Sequence, residues 1–190
     1  MRNKLVILGI FAVFSCKAQQ TYPLNTFPDD VPSGSYMKDL ANELVFFTGT
    51  WVTNFNGKNI TLFITKEDYK YFELYTKNYY QDIISIKYTI KNSSGTIIQN
   101  TQNMNFQPNQ IMHTIYSMGT RPSQNAAILD YGGTNCSVGN GKIILKKLNA
   151  TQISWEYIPN STIIDRSKCP VGTDINIYLP ETKDLIFTKQ

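Results

Sequence analysis

Thiols, one imidazole and a dense set of phenols are the side chains of this 190-residue chain with the chemistry to act on something. Cys136 and Cys169 lie in the Gly- and Ser-rich stretches GGTNCSVGNG and STIIDRSKCPVGT. In an oxidising compartment two such thiols tend to pair as a disulfide, and closing the loop between them would stabilise by roughly 3 to 4 kcal/mol in the chain-entropy picture. The other use of Cys136 is as a nucleophile with His113, the only histidine; that chemistry needs an orienting partner, and none is visible in the sequence. His113 falls in the alternating run IMHTIYS, where it reads as a packing or surface residue, and one histidine excludes the usual multi-histidine metal sites. The carboxylate pairs Asp29-Asp30 and Glu67-Asp68 occupy a Pro-rich stretch and a turn, so both read as solvated. A Gly-x-Ser-x-Gly elbow, His-Glu-x-x-His, Cys-x-x-Cys and a phosphate-cradling glycine loop are absent from the sequence. The expectation is a protein that is not an enzyme and carries no metal and no cofactor.

The phenols are denser. Tyr69, Tyr71, Tyr75, Tyr79 and Tyr80 crowd one short stretch, and such residues either stack a sugar or other flat ligand at the mouth of a fold or pair across strands on a half-exposed sheet. Both uses stay open. Tyr71, Tyr75, Trp155 and Tyr157 are the candidate ligand contacts.

At the N-terminus Arg2 and Lys4 precede the apolar run Leu5 to Phe14. A bilayer-spanning helix needs about 20 apolar residues, so this run reads as an export signal. Val13-Phe14-Ser15-Cys16 resembles the lipobox of bacterial lipoproteins. The resemblance implies lipid on Cys16, cleavage after Ser15 and a chain anchored by its lipid in the cell envelope, at the outer membrane. Cys16-Lys17-Ala18 also reads as a site for a conventional signal peptidase, which would cut near Ala18 and release the chain to the periplasm. Loss of Arg2 and Lys4 with the signal lowers the formal charge from +4 to +2, and Lys146-Lys147 reads as a solvated strand edge, so no nucleic-acid partner is expected. The organisation is then a signal peptide over residues 1–15, a flexible tether over 16–34 with three prolines, and one domain over 35–190.

The elements that must position these groups are mostly strands. Ser35 can cap a short helix over YMKDLANELVFF, where Tyr36, Leu40, Ala41 and Leu44 share a face. From Thr48 onward apolar residues alternate. TWVTNFNGKNITLFIT is a hairpin about Asn56-Gly57, KYFELYT and DIISIKYTI follow, and Ile84, Ile86, Tyr88 and Ile90 share a face. TIIQNTQ and IMHTIYSM come next, then a loop from about residue 119 to 141, then KIILKKL, QISWEYI, INIYL and LIFTK. So many short strands predict an all-β, antiparallel barrel of about 8–10 strands with one short N-terminal helix, because closure removes exposed edges.

Gly49-Thr50-Trp51, at the start of the first strand of this run, resembles the Gly-x-Trp signature of the lipocalins. With CKAQQ, ELVFFTGTW and the final strand LIFTK, the whole mature chain is similar to a group of uncharacterised Bacteroidetes envelope proteins defined only as a domain of unknown function. The resemblance implies a lipocalin-like, calycin-type barrel in which Gly49 turns the chain and Trp51 plugs the closed end. Two functions are open: a barrel that binds a small apolar or amphipathic ligand, or a filled barrel that meets an envelope protein as an interaction or inhibitor module. Inward faces rich in Ile, Leu, Tyr and Trp point toward a largely filled interior.

Overall fold

The computed structural model describes residues 18–107, 110–160, 167 and 169–190. The signal segment and Cys16 lie outside them. Strands β1 (Thr21–Pro23) and β2 (Ser35–Lys38) precede β3 (Gly49–Phe55), β4 (Lys58–Leu74), β5 (Lys77–Lys91) and β6 (Ile97–Asn100). After these come β7 (Ile115–Arg121), β8 (Ala126–Tyr131), β9 (Gly141–Lys147), β10 (Gln152–Pro159) and β11 (Leu185–Lys189). Pairing runs β5-β4-β3-β11-β10-β9-β8-β7, and β7 meets β5 again, which closes an antiparallel barrel of 8 strands. β6 pairs outside this ring on β5, while β1 and β2 lie parallel to one another and to β5.

Alternation explains the closure. Ile60, Leu62 and Ile64 of β4, and Ile84, Ile86, Tyr88 and Ile90 of β5, are each at most 2% exposed, so one face of these strands is withdrawn from water and a one-residue slip would reverse it. The β3–β4 turn places Asn56 at φ 48° and Gly57 at φ 71°, the positive pair that a right-twisted two-residue hairpin requires.

Several local expectations are corrected. The short N-terminal helix is absent as an α-helix: Ser35–Lys38 is strand β2, and only Val45–Phe47 makes a single 3-10 turn. Pairing of Tyr36 with Tyr80 and of Met37 with Gln81 captures residues whose local spacing also suits a helix. The described part of the proposed tether is a strap packed on the barrel, with Leu24 and Val31 each 3% exposed and β1 hydrogen-bonded to β2. Glu67-Asp68 sits in a β-bulge of one long strand, β4, between the register positions Glu67 and Lys70, and Tyr69 takes φ 59°. The segment from 119 to 141 is not one long loop, because it contains β8, whose Ala127, Leu129 and Tyr131 point into the core. His113 lies before β7 at φ 66°, outside any strand, and INIYL forms no strand.

Candidate functional site

The barrel interior is occupied by its own side chains. Trp51, Tyr88, Trp155 and Phe187 are 0% exposed. Trp155 Nε1–H donates to Pro180 O at 3.0 Å and its ring lies 5.8 Å from Phe187. The Tyr157 hydroxyl donates to Gly139 O, and its ring meets Tyr131 edge-on at 5.7 Å. Burial pushes the Tyr88 hydroxyl up to about 12 and raises Tyr131 and Tyr157 as well. Trp155 and Tyr157, expected as ligand contacts, therefore serve as packing. Trp51 closes one end, where its Nε1–H donates to Phe47 O at 2.7 Å and the Lys189 ammonium lies 5.1 Å from its ring. Gly49 permits this approach: it has φ 120°, and a Cβ there would stand 2.9 Å from Lys189 Cε.

The open space is on the outer wall. β5 and β7 pair only at Ser85 and Tyr116 and then splay apart, because the first half of β5 is taken by β2. Side chains replace the missing ladder bonds: Ile84 N–H donates to Ser117 Oγ at 2.9 Å, Gln81 Nε2 to Met118 O at 3.0 Å, and Thr120 N–H to Asn25 Oδ1 at 2.7 Å. Asn25 also donates to Glu43, and Thr120 Oγ1 donates to the same carboxylate, which ties the strap to β7. Between strap, hairpin and β7 lies a groove of about 540 Å³.

Its walls are aromatic and polar in alternation. Phe72 and Tyr79, opposite one another on β4 and β5, stack nearly parallel at 5.4 Å, and Tyr116 joins Phe72 at 5.5 Å. Arg121, Asp130 and Glu73 line the same groove; among the described residues none of the three makes an ion pair or side-chain hydrogen bond. The Tyr79 and Tyr116 hydroxyls likewise have no hydrogen-bond partner there. Burial raises Asp130, Tyr79 and Tyr116 above their ordinary values.

The tyrosine cluster divides between two faces. Tyr71 is paired with Tyr80, one position out of phase with the Phe72–Tyr79 pair, so it lies on the face of the hairpin away from the groove. Tyr80 stacks on Tyr69 at 4.0 Å, and Tyr69 meets Tyr36 edge-on at 4.8 Å. Tyr75 is at the hairpin tip, 97% exposed. The four sequence-predicted ligand contacts are thus not brought together. Tyr79, of the same cluster, is in the groove; Phe72, Tyr116, Arg121 and Asp130 had not been singled out as a set. Their legible signal is one position each on β4, β5 and β8 and two on β7, but only the closure of β5 on β7 makes them neighbours.

Two other polar clusters are structural. Asp82 is 1% exposed and accepts from the Tyr36 hydroxyl, Tyr69 N–H and Asp39 N–H, with Lys66 Nζ at 3.7 Å. Burial, the largest single influence, works against its ionisation, but these donors and the lysine together hold the carboxyl below its usual range. With three hydrogen bonds and a neighbouring ammonium, Asp82 bolts β2 and the bulge to β5. At the other cluster Cys136 and Cys169 form a disulfide with Cα atoms 5.5 Å apart, which withdraws Cys136 from nucleophilic use. His113 Nε2 lies 3.0 Å from Asn135 Oδ1, and Asn135 Nδ2 donates to Asp174 O. Among the described residues there is no group of three or more His, Cys, Asp or Glu side chains arranged to hold a metal ion.

Fold and groove together define a small antiparallel barrel with a filled core and an open depression on its outside wall. The chain belongs to a family of unknown function, DUF6705, whose pattern matches residues 1–190. No curated protein and no solved structure matches it.

Proposed function

We propose that this chain is an exported, lipid-anchored, non-catalytic binding module of the bacterial cell envelope, in which the filled barrel is a scaffold and the outer groove holds a small amphipathic molecule. The observation that carries this reading is a contrast. The largest interior side chains are 0% exposed, whereas the outer wall keeps an uncovered groove of about 540 Å³ with Phe27 at 75% and Met118 at 60% exposure. That volume falls in the range of small-molecule sites, roughly 300 to 1,000 Å³.

Anchoring agrees with the way the strap is held. Gln19 is fixed by Gly34 O and the Tyr69 hydroxyl, and the three residue steps from Cys16 to Gln19 span at most about 10 Å. A lipid on Cys16 would therefore hold the barrel close to the bilayer.

The test is nuclear magnetic resonance of the full chain during titration with a short fatty acid such as laurate and with neutral oligosaccharides. The expected result is movement of the Met37 and Met118 methyl signals, which report the groove, with the Trp51 and Trp155 indole signals unmoved. Movement of the indole signals first would place the ligand in the barrel lumen and overturn the reading.

A protein partner in the envelope is the second reading, favoured by the hairpin tip where Tyr75 and Leu74 are exposed. A photo-crosslinking residue at position 75 that captures one discrete envelope protein in cells would favour it; adducts to lipid alone would count against it.

A further inference from the structure

We infer that the outer-wall groove is a saccharide site, in which a sugar ring lies on the Phe72–Tyr79–Tyr116 shelf and its hydroxyls bond Asp130, Arg121 and the two phenols. This rests on the groove being the binding face.

The inference comes from the groups that border the groove. A pyranose presents C–H groups on its faces and hydroxyls, each both donor and acceptor, around its perimeter. It therefore needs flat aromatic surfaces bordered by planar hydrogen-bonding groups. Phe72 and Tyr79 lie within 19° of parallel, and Tyr116 tilts 43° from Phe72, so the three rings form a slightly curved shelf. Around it, among the described residues, stand a half-buried carboxylate, an exposed guanidinium and two half-buried phenols, none with a side-chain hydrogen bond to the protein. Asp130, Tyr79 and Tyr116 are half-buried and Arg121 is exposed, so in the free groove they bond water. Donors and acceptors of both kinds about one aromatic shelf point to hydroxyl-bearing matter as what replaces that water.

Charge separates this ligand class from others. An anion would be met by Arg121 but opposed by Asp130 and Glu73. A cation would be met by the carboxylates and opposed by Arg121. A hydrocarbon chain laid across the shelf would cover Asp130 and supply no donor. A neutral ring with many hydroxyls answers both signs. Addition of an extended peptide to the β7 edge is disfavoured for a separate reason, since Met118 O and Thr120 N–H are already engaged by Gln81 and Asn25.

The test uses the full chain in phosphocholine nanodiscs with labelled methionine methyls, titrated with maltotetraose, cellotetraose, chitotetraose and mannotetraose. Laurate and an unrelated tetrapeptide are run as comparison probes. The expected result is that at least one tetrasaccharide saturably shifts the Met37 and Met118 signals. Phe72→Ala then weakens it about tenfold and Asp130→Asn by a similar factor, while Phe72→Tyr, which keeps the ring, binds as the parent does. Circular dichroism of each variant confirms that the barrel remains folded. Shifts with laurate or the peptide and with none of the saccharides would overturn the saccharide assignment and leave the groove as a binding face. Absence of shifts with every probe would overturn both. Saccharide binding that Phe72→Ala and Asp130→Asn leave unchanged in folded protein would place the sugar elsewhere and also overturn the inference.

Discussion

Trp51 joins the closed end of the barrel by two means, its buried indole and the hydrogen bond to Phe47 O. Trp51→Ala removes both and is expected to cost about 3 to 5 kcal/mol; Trp51→Phe retains most of the volume but orphans the carbonyl, at about 1 to 3 kcal/mol. Urea unfolding followed by the circular dichroism of the strands measures both. Two carboxylates should respond to acid with opposite signs. Asp82 is held below its unfolded value, so its stabilisation is present above about pH 4 and fades as pH falls through the folded value. The gap in urea midpoint between the parent and Asp82→Asn should therefore be wide at pH 7 and narrow below about pH 4. Asp130 is raised by burial, so its ionisation at neutral pH costs stability. Asp130→Asn is expected to unfold at higher urea than the parent at pH 7, with the gain vanishing in acid. A carboxylate whose removal stabilises the fold is a residue kept for some other purpose, as functional groups often are.

At the scale of elements, pairing overrode local pattern in several places. Residues 35–38 have spacing compatible with a helix, but β5 offers them unpaired backbone, and a parallel strand results. β8 was hidden inside a Gly-rich stretch although Ala127, Leu129 and Tyr131 alternate, because turn signals on both sides drew attention from a six-residue strand. The bulge at Tyr69 joined two expected strands into one of 17 residues, β4, which projects the Phe72 pair beyond the barrel. The disulfide, in contrast, was legible from two cysteines and the oxidising compartment expected of an exported chain. It closes a covalent ring that contains β9 and β10, with the cysteines 33 positions apart. Replacement of both by serine is expected to lower stability by about 2 to 5 kcal/mol, and unfolding of the parent in dithiothreitol should then coincide with that of the double variant. If reduction left the midpoint unchanged, the bridge would add nothing to the fold.

For the whole molecule the address and the architecture constrain each other. Mass spectrometry of the N-terminal peptide is expected to give a lipid-modified Cys16. An unmodified peptide beginning at Gln19 would instead make the protein a periplasmic one, with the strap unchanged. No helix of the described residues is long and apolar enough to cross a membrane; in this proposal the lipid on Cys16 holds the barrel at the bilayer.

Period-two alternation from Thr48 onward by itself determined an all-β chain with Trp51 inside, since a strand that buries one face leaves no choice of which residues go in. Turn chemistry at Asn56-Gly57 was determined in the same local way, whereas the pairing of Cys136 with Cys169 was an expectation from cysteine number and an oxidising compartment. Only the tertiary structure decided that the barrel is filled and that the open site is outside it. Whether facing side chains fill a lumen depends on barrel radius and register. The groove, moreover, joins the strap, β4, β5, β7 and β8, whose residues become neighbours solely because β7 returns to β5 and then splays away.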